Sequence, residues 1–176
     1  MLIVLSGLPG TGKTTIGKAL AARYAAVFIR VDEIEHALLH HPGVGPEIGS
    51  AGYVVAFAIA SSNLKLGNLV IADCVNPVPE SREGWREVAR GIAGAQLLEV
   101  EIICSDATEH RRRVEQRAPD IVGFALPTWS SVQSHDYAAW IEPRLIVDTA
   151  LMNASDAVLV IEEQLVARAE YNPAAR

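Results

Sequence analysis

The sequence predicts an α/β fold, a three-layer sandwich in which a parallel β-sheet is covered by helices on both faces. Two observations predict it. Short apolar runs alternate with segments of helical periodicity along the whole chain. The first such run leads through a glycine-rich turn directly into an amphipathic helix. No internal repeat, low-complexity tract or long linker divides the 176 residues, so a single domain over residues 1–176 is expected.

The elements follow in order. Strands are expected at residues 2–5, 27–30, 69–72, 98–104 and 145–147. Ile16, Ala19, Leu20 and Tyr24 recur at helical spacing, as do Trp85, Val88, Ala89 and Ile92. A short helix is expected over residues 34–39. An apolar one over 54–66 is placed to end at Gly67, with one face either buried or meeting a partner subunit. Asp106 and Glu109 form a capping-box pattern before an arginine-rich helix, and Asn153 or Ser155 is placed to cap the last one. Two glycine- and proline-rich stretches, 40–50 and 117–128, read as mobile segments over a site.

Composition narrows the function. Half of the residues are hydrophobic and a fifth are charged, as in a globular chain. A net charge of -6 argues against a broad nucleic-acid footprint. No stretch is apolar enough to suggest a bilayer span, and Met1 to Leu5 is too short and lacks the basic residues of a leader. Cys74 and Cys104 have no metal-ligand spacing and read as reduced thiols of a cytoplasmic protein.

Residues 7–14 read GLPGTGKT, a full match to the phosphate-loop pattern in its required context of strand before and helix after. Glycines at positions 7, 10 and 12 let successive amides point inward as an anion nest, and the helix N-terminus adds its dipole there. The nucleotide-binding set is therefore Gly7, Leu8, Pro9, Gly10, Thr11, Gly12, Lys13, Thr14 and Thr15. Lys13 supplies charge to the β- and γ-phosphates, the Thr14 hydroxyl coordinates Mg2+, and Thr15 is placed to meet the α-phosphate. ATP as phosphate donor and magnesium are the expected ligands.

Three aspartates follow apolar runs at strand ends, where ligands of a doubly wound sheet gather. Asp32 is read as the base that orients an attacking hydroxyl, with a helix N-cap as the competing role. Asp73 is assigned to the metal or to the acceptor pocket, with Asp148 the weaker candidate because the loop after the last strand more often meets the nucleotide base. Arg30 and His36 flank Asp32 as further candidates for the acceptor pocket. Of Arg111, Arg112, Arg113 and Arg117, the pair Arg113 and Arg117 shares a helix face and is expected to neutralise transition-state charge from a lid at about 111–128. Arg82 is a weaker candidate for phosphate contact. Packing is the expected role for Trp85, Trp129 and Trp140.

Taken together, GLPGTGKT, Asp32, LVIAD at 69–73 and HRRRVEQR at 110–117 resemble the small P-loop kinases, a group that includes shikimate and gluconate kinases, chloramphenicol phosphotransferase and the polynucleotide 5′-kinase domain. The last run, followed by Pro127, Thr128 and Trp129, is similar to bacterial kinases of the AAA-like ATP-binding type. The resemblance implies a five-stranded parallel sheet in order 2-3-1-4-5 with a lid between the fourth and fifth strands. It makes Asp32 the hydroxyl-activating aspartate and Arg113 and Arg117 the lid arginines, with adenine near the lid helix and residues 149–154.

The leading expectation is phosphorylation of a small hydroxylated substrate by a monomer or homodimer. A polynucleotide 5′-hydroxyl kinase is a second reading. A regulatory nucleotide-binding or ATP-hydrolysing protein without an acceptor is a third.

Overall fold

The structure, a computed structural model, describes residues 1–45 and 47–170. Pro46 in the first glycine- and proline-rich stretch, and residues 171–176 of the expected domain, lie outside the described residues. Five strands, β1 (Leu2–Ser6), β2 (Val27–Arg30), β3 (Val70–Asp73), β4 (Leu97–Ile103) and β5 (Leu145–Asp148), form one sheet in the order β2-β3-β1-β4-β5. Every pairing is parallel. The fold expected from the sequence is the fold observed.

Strand periodicity explains how one short run serves two cores. Leu2 and Val4 of β1 face α3 (Ala51–Lys65) and α4 (Pro79–Arg90), where they pack with Ala56, Ala60 and Trp85. Ile3 and Leu5 face the other way, onto Ile16 and Leu20 of α1 (Lys13–Tyr24) and Ala157 and Ile161 of α7 (Ala154–Glu170). The buried stripe of α1 is Lys13, Ile16, Gly17 and Leu20, so the expected positions Ala19 and Tyr24 are exposed. Gly17 takes the sheet-facing place because a Cβ there would meet the Phe28 ring at 2.7 Å.

β4 alternates too, in a way its apolar ends conceal. Leu98, Val100 and Ile102 join the α1–α7 core, while Glu99 and Glu101 turn to the opposite face and are nearly buried. Each is neutralised there. Arg86 of α4 makes two 3.0 Å bonds to Glu99 and reaches Glu142 at 2.6 Å, and Arg144 donates to Glu101 at 2.8 Å.

Arg82, a candidate for phosphate contact, is instead a structural staple whose guanidinium is engaged within the fold. Its side chain is buried, donates to the carbonyls of Asn76, Pro77, Ala138 and Ala139, and stacks 4.1 Å from Trp140. The chain between α6 (Trp129–Gln133) and β5 is strapped to α4 in this way.

The expected caps form, with refinements. Gly67 adopts φ 84° after α3, and Asn153, not Ser155, accepts the first amides of α7. Asp106 caps α5 (Ala107–Gln116) by accepting from the amides of Thr108 and Glu109, but Glu109 pairs with Arg112 and Arg113 and does not complete the box. Among the described residues no helix is long and apolar enough to cross a membrane.

One element carries an ionisable strain. α2 (Val31–Leu39) lays Glu35 over Gly52 of α3, where no side chain competes for the space. Burial, with the Asp32 carboxylate adding to it, pushes the Glu35 carboxyl up to about 7. A folded-state pKa above the unfolded value means a stabilising contribution present at low pH and lost as pH rises through about 7. Glu35→Gln should therefore stabilise the protein at pH 8 by at most about 3 kcal/mol, and not at pH 4. Calorimetric unfolding at both pH values checks this, and an equal shift at both would rule it out.

Candidate functional site

The carboxyl ends of β1, β2 and β3 are aligned by the sheet register, which sets Asp73 beside both Leu5 and Arg30. β3 and β2 lie to one side of β1 and β4 and β5 to the other, so the loop after β1 sits where the winding reverses. A cavity of about 600 Å³ opens there. Its walls include Pro9, Gly10, Gly12, Lys13, Thr14, Thr15, Arg30, Asp32, Asp73, Arg113 and Arg117.

Backbone shape makes the anion nest. Gly7 has φ 142°, and a Cβ on it would meet the Ile102 carbonyl oxygen at 2.2 Å. Gly10 has φ 86°, and a Cβ there would meet Val114 of α5 at 2.5 Å. Leu8 and Thr11 hold the loop from behind. The Leu8 carbonyl accepts from the Thr11 hydroxyl at 3.0 Å and from Lys13 Nζ at 2.9 Å, while the Thr11 carbonyl accepts from Thr149. α1 begins without a side-chain cap and without an acidic residue in its first turn, which leaves its leading amides for an incoming anion.

Lys13 is nearly buried, and burial lowers its pKa against the opposing pull of Asp73 and Asp32. Asp73 is buried to a similar degree, and burial raises its carboxyl while Lys13 and the Thr14 hydroxyl pull it down. Thr14 Oγ1 donates to Asp73 Oδ2 at 2.6 Å. A hydroxyl and a carboxylate oxygen thus stand side by side, the hard donor set that fits a magnesium ion completed by phosphate oxygens. Among the described residues no group of three or more His, Cys, Asp or Glu side chains could hold a metal by itself.

Asp32 lies in the first turn of α2 and not at a strand end, since β2 stops at Arg30. Its carboxylate stands 3.7 Å from Arg30 and is about a third exposed, toward the cavity. Arg30 is the hub of this wall, buried and within 4 Å of Asp32, Glu33, Asp73 and Asp120. Its tightest partner is Asp120 at 2.6 Å, a residue with no sequence signal beyond its place in the proline-glycine loop. Lys18 donates to the same carboxylate oxygen at 3.1 Å. Arg30 and then Lys18 hold the Asp120 carboxyl down at about 2.

The two candidate lid arginines differ. Arg113 is tethered, donating to Glu109 at 2.7 Å and to the hydroxyl and carbonyl of Thr149 at 2.8 and 2.9 Å. Arg117 is the C-cap of α5, its amide donating to the Arg113 carbonyl at 3.2 Å while the chain beyond it turns extended, and it lines the cavity with Arg113. The Arg117 Nε is buried with no hydrogen-bond partner, and burial lowers its pKa. A desolvated, orphaned guanidinium nitrogen in this cavity fits a phosphate oxygen.

His110 Nε2 donates to the Pro9 carbonyl at 2.8 Å, tying α5 to the loop. Asp148 is occupied with the amides of Ser105 and Ala150. His36 packs on Phe124 of the loop after α5.

The model of one protein family, described as an AAA domain, matches residues 2–127. The chain belongs to the AAA domain family. Solved structures resemble this AAA domain over almost its full length. A gluconokinase from Sinorhizobium meliloti shares 19% identity at a TM-score of 0.62, covering 94% of this chain and 95% of its own. An APS kinase, CysC, from Mycobacterium tuberculosis in complex with AMPPNP and APS shares 17% at 0.70, with 93% and 96% covered. Kti12 from Chaetomium thermophilum in complex with ADP-AlF3 shares 18% at 0.65, with 93% and 98% covered. At these identities the likeness establishes the P-loop kinase fold of this AAA domain. No curated protein sequence matches it.

Proposed function

We propose that this AAA domain transfers the γ-phosphate of ATP to a hydroxyl group of a small molecule. The observation that carries the reading is Asp32, a partly exposed carboxylate in the same cavity as Lys13, Thr14 and Asp73. A pure hydrolase needs only the phosphate cradle and a positioned water. A carboxylate beside the phosphate cradle, oriented by a buried arginine, suits a bound alcohol.

In this reading the backbone amides of the loop and Lys13 hold the phosphate chain, while Thr14 and Asp73 would hold magnesium. When bound, the ion neutralises charge on the phosphate oxygens. Asp32 accepts the proton of the acceptor hydroxyl as its oxygen bonds to the γ-phosphorus and the bond to the ADP oxygen breaks. Arg117 then supplies charge to the phosphoryl oxygens, and Arg113 acts by keeping the loop after β5 in place. The cavity volume suits a nucleotide tail with a compact acceptor.

We place the protein in the cytoplasm, where ATP is present and the unpaired thiols Cys74 and Cys104 stay reduced, acting as a monomer or homodimer without nucleic acid. A screen of hydroxylated metabolites, nucleosides and antibiotics for acceptor-dependent ADP release tests the function. Slow turnover that some acceptor accelerates supports a kinase. Turnover that none accelerates favours a regulatory ATPase.

A further inference from the structure

We propose that the acceptor carries an anionic group, a carboxylate or a phosphate, which takes the place of the Asp120 carboxylate on Arg30 and Lys18. The inference rests on the kinase reading and names the chemical class of its substrate.

Charge gives the first argument. The chain as a whole is acidic, yet the cavity is lined by six cationic side chains against three carboxylates. Two of those carboxylates have local duties. Asp73 is bonded to Thr14 and coupled to Lys13, and Asp32 faces the acceptor hydroxyl in the proposed reaction. The third, Asp120, is the only one contributed by the loop after α5. A buried guanidinium and an ammonium, Arg30 at 2.6 Å and Lys18 at 3.1 Å, converge on this one loop carboxylate and make a site for anionic oxygens.

The second argument is replaceability. Arg30 is buried and keeps its other carboxylate partners at 3.7–3.8 Å, so its one short bond is to Asp120. Asp120 is itself 45% exposed. Among the described residues, the loop from 118 to 127 carries one backbone hydrogen bond of its own, from the Phe124 amide to the Ile121 carbonyl. The tightest partner of a buried cation is therefore held by a loop with a single backbone hydrogen bond of its own. A ligand anion that bonds Arg30 and Lys18 displaces a side chain that water can solvate at once, and the buried guanidinium never loses its short partner. Arg30 thus serves as a specificity-determining residue, and Asp120 as a stand-in for substrate charge.

Two measurements test this. The first is calorimetry on protein saturated with magnesium and a non-hydrolysable ATP analogue, so that the phosphate loop is filled, with inorganic phosphate as the probe. Asp120→Asn should bind phosphate about tenfold more tightly than the unmodified protein. Adding Lys18→Gln to that variant should remove most of the gain. Equal affinity with and without Asp120 would overturn the inference. The second compares ADP release with polyhydroxy acids, phosphorylated alcohols and the matching neutral alditols at fixed ionic strength. Acceleration confined to the charged series supports the inference, and the series that responds distinguishes carboxylate from phosphate. Stronger acceleration by neutral alditols overturns it while the kinase reading stands. Acceleration by none, across these and the wider screen, overturns the kinase reading, and the calorimetry still decides whether Arg30 and Lys18 bind an anion.

Discussion

Lys13→Ala should lower nucleotide turnover by about 10²–10³-fold and weaken binding of the magnesium nucleotide in calorimetry. The size follows from where the ammonium sits. It is nearly buried, at the base of a loop whose other donors are neutral amides, so it is the full charge built into the cradle itself. Its loss also strips Asp73 of the cation that most lowers its pKa. That carboxyl would then hold its proton to higher pH and serve a metal less well. Both losses act on the same ligand. An alanine variant that melts like the parent and still turns over ATP at the parent rate would remove the phosphate cradle from the account.

Asp32→Asn should reduce transfer to the acceptor by about 10²–10⁴-fold while leaving nucleotide affinity unchanged. The amide keeps the size of the side chain, and its oxygen still faces Arg30, but it has no lone pair basic enough to take a hydroxyl proton. Because α2 and not the phosphate loop carries Asp32, the change does not disturb the nest. Steady-state kinetics with a responsive acceptor, set beside nucleotide titrations, separate the two effects. A fall in kcat/KM for the acceptor with a constant nucleotide Kd is the expected result. Equal transfer by the variant would move the proton elsewhere, and loss of both would make Asp32 a structural cap.

What the sequence reveals about this site depends on distance along the chain. GLPGTGKT is contiguous, and its required φ values are written in its glycines, so the nest was readable residue by residue. The strands were readable to within one residue because each is a short apolar run set between helical segments. Their spatial order came from resemblance and not from periodicity, which says nothing about which strands are neighbours.

Interactions between remote segments left no trace. Arg82 reads like any helix arginine until residues 138 and 139 bring their carbonyls to it. Glu99 and Glu101 look unsuited to an inner strand until Arg86 and Arg144 arrive beside them. Asp120 lies 90 positions from Arg30, and only the fold places them together. Arg113 and Arg117 both line the cavity, as their four-residue spacing implied, but the spacing could not show that Arg113 is engaged by Thr149.

The bonds that fasten α5 have a consequence for motion. His110 grips Pro9, Val114 fills the space over Gly10, and Arg113 grips Thr149, which in turn grips Thr11. The helix is tied to the phosphate loop at three points, so moving it would break these contacts with the nest. If the lid expected at about 111–128 moves, the ends of α5 at Gln116 and of the loop at Thr128, the cap of α6, are where it would pivot. The part of the expected lid left free of these bonds is then the ribbon of about a dozen residues from 117 to 128, and not α5 itself.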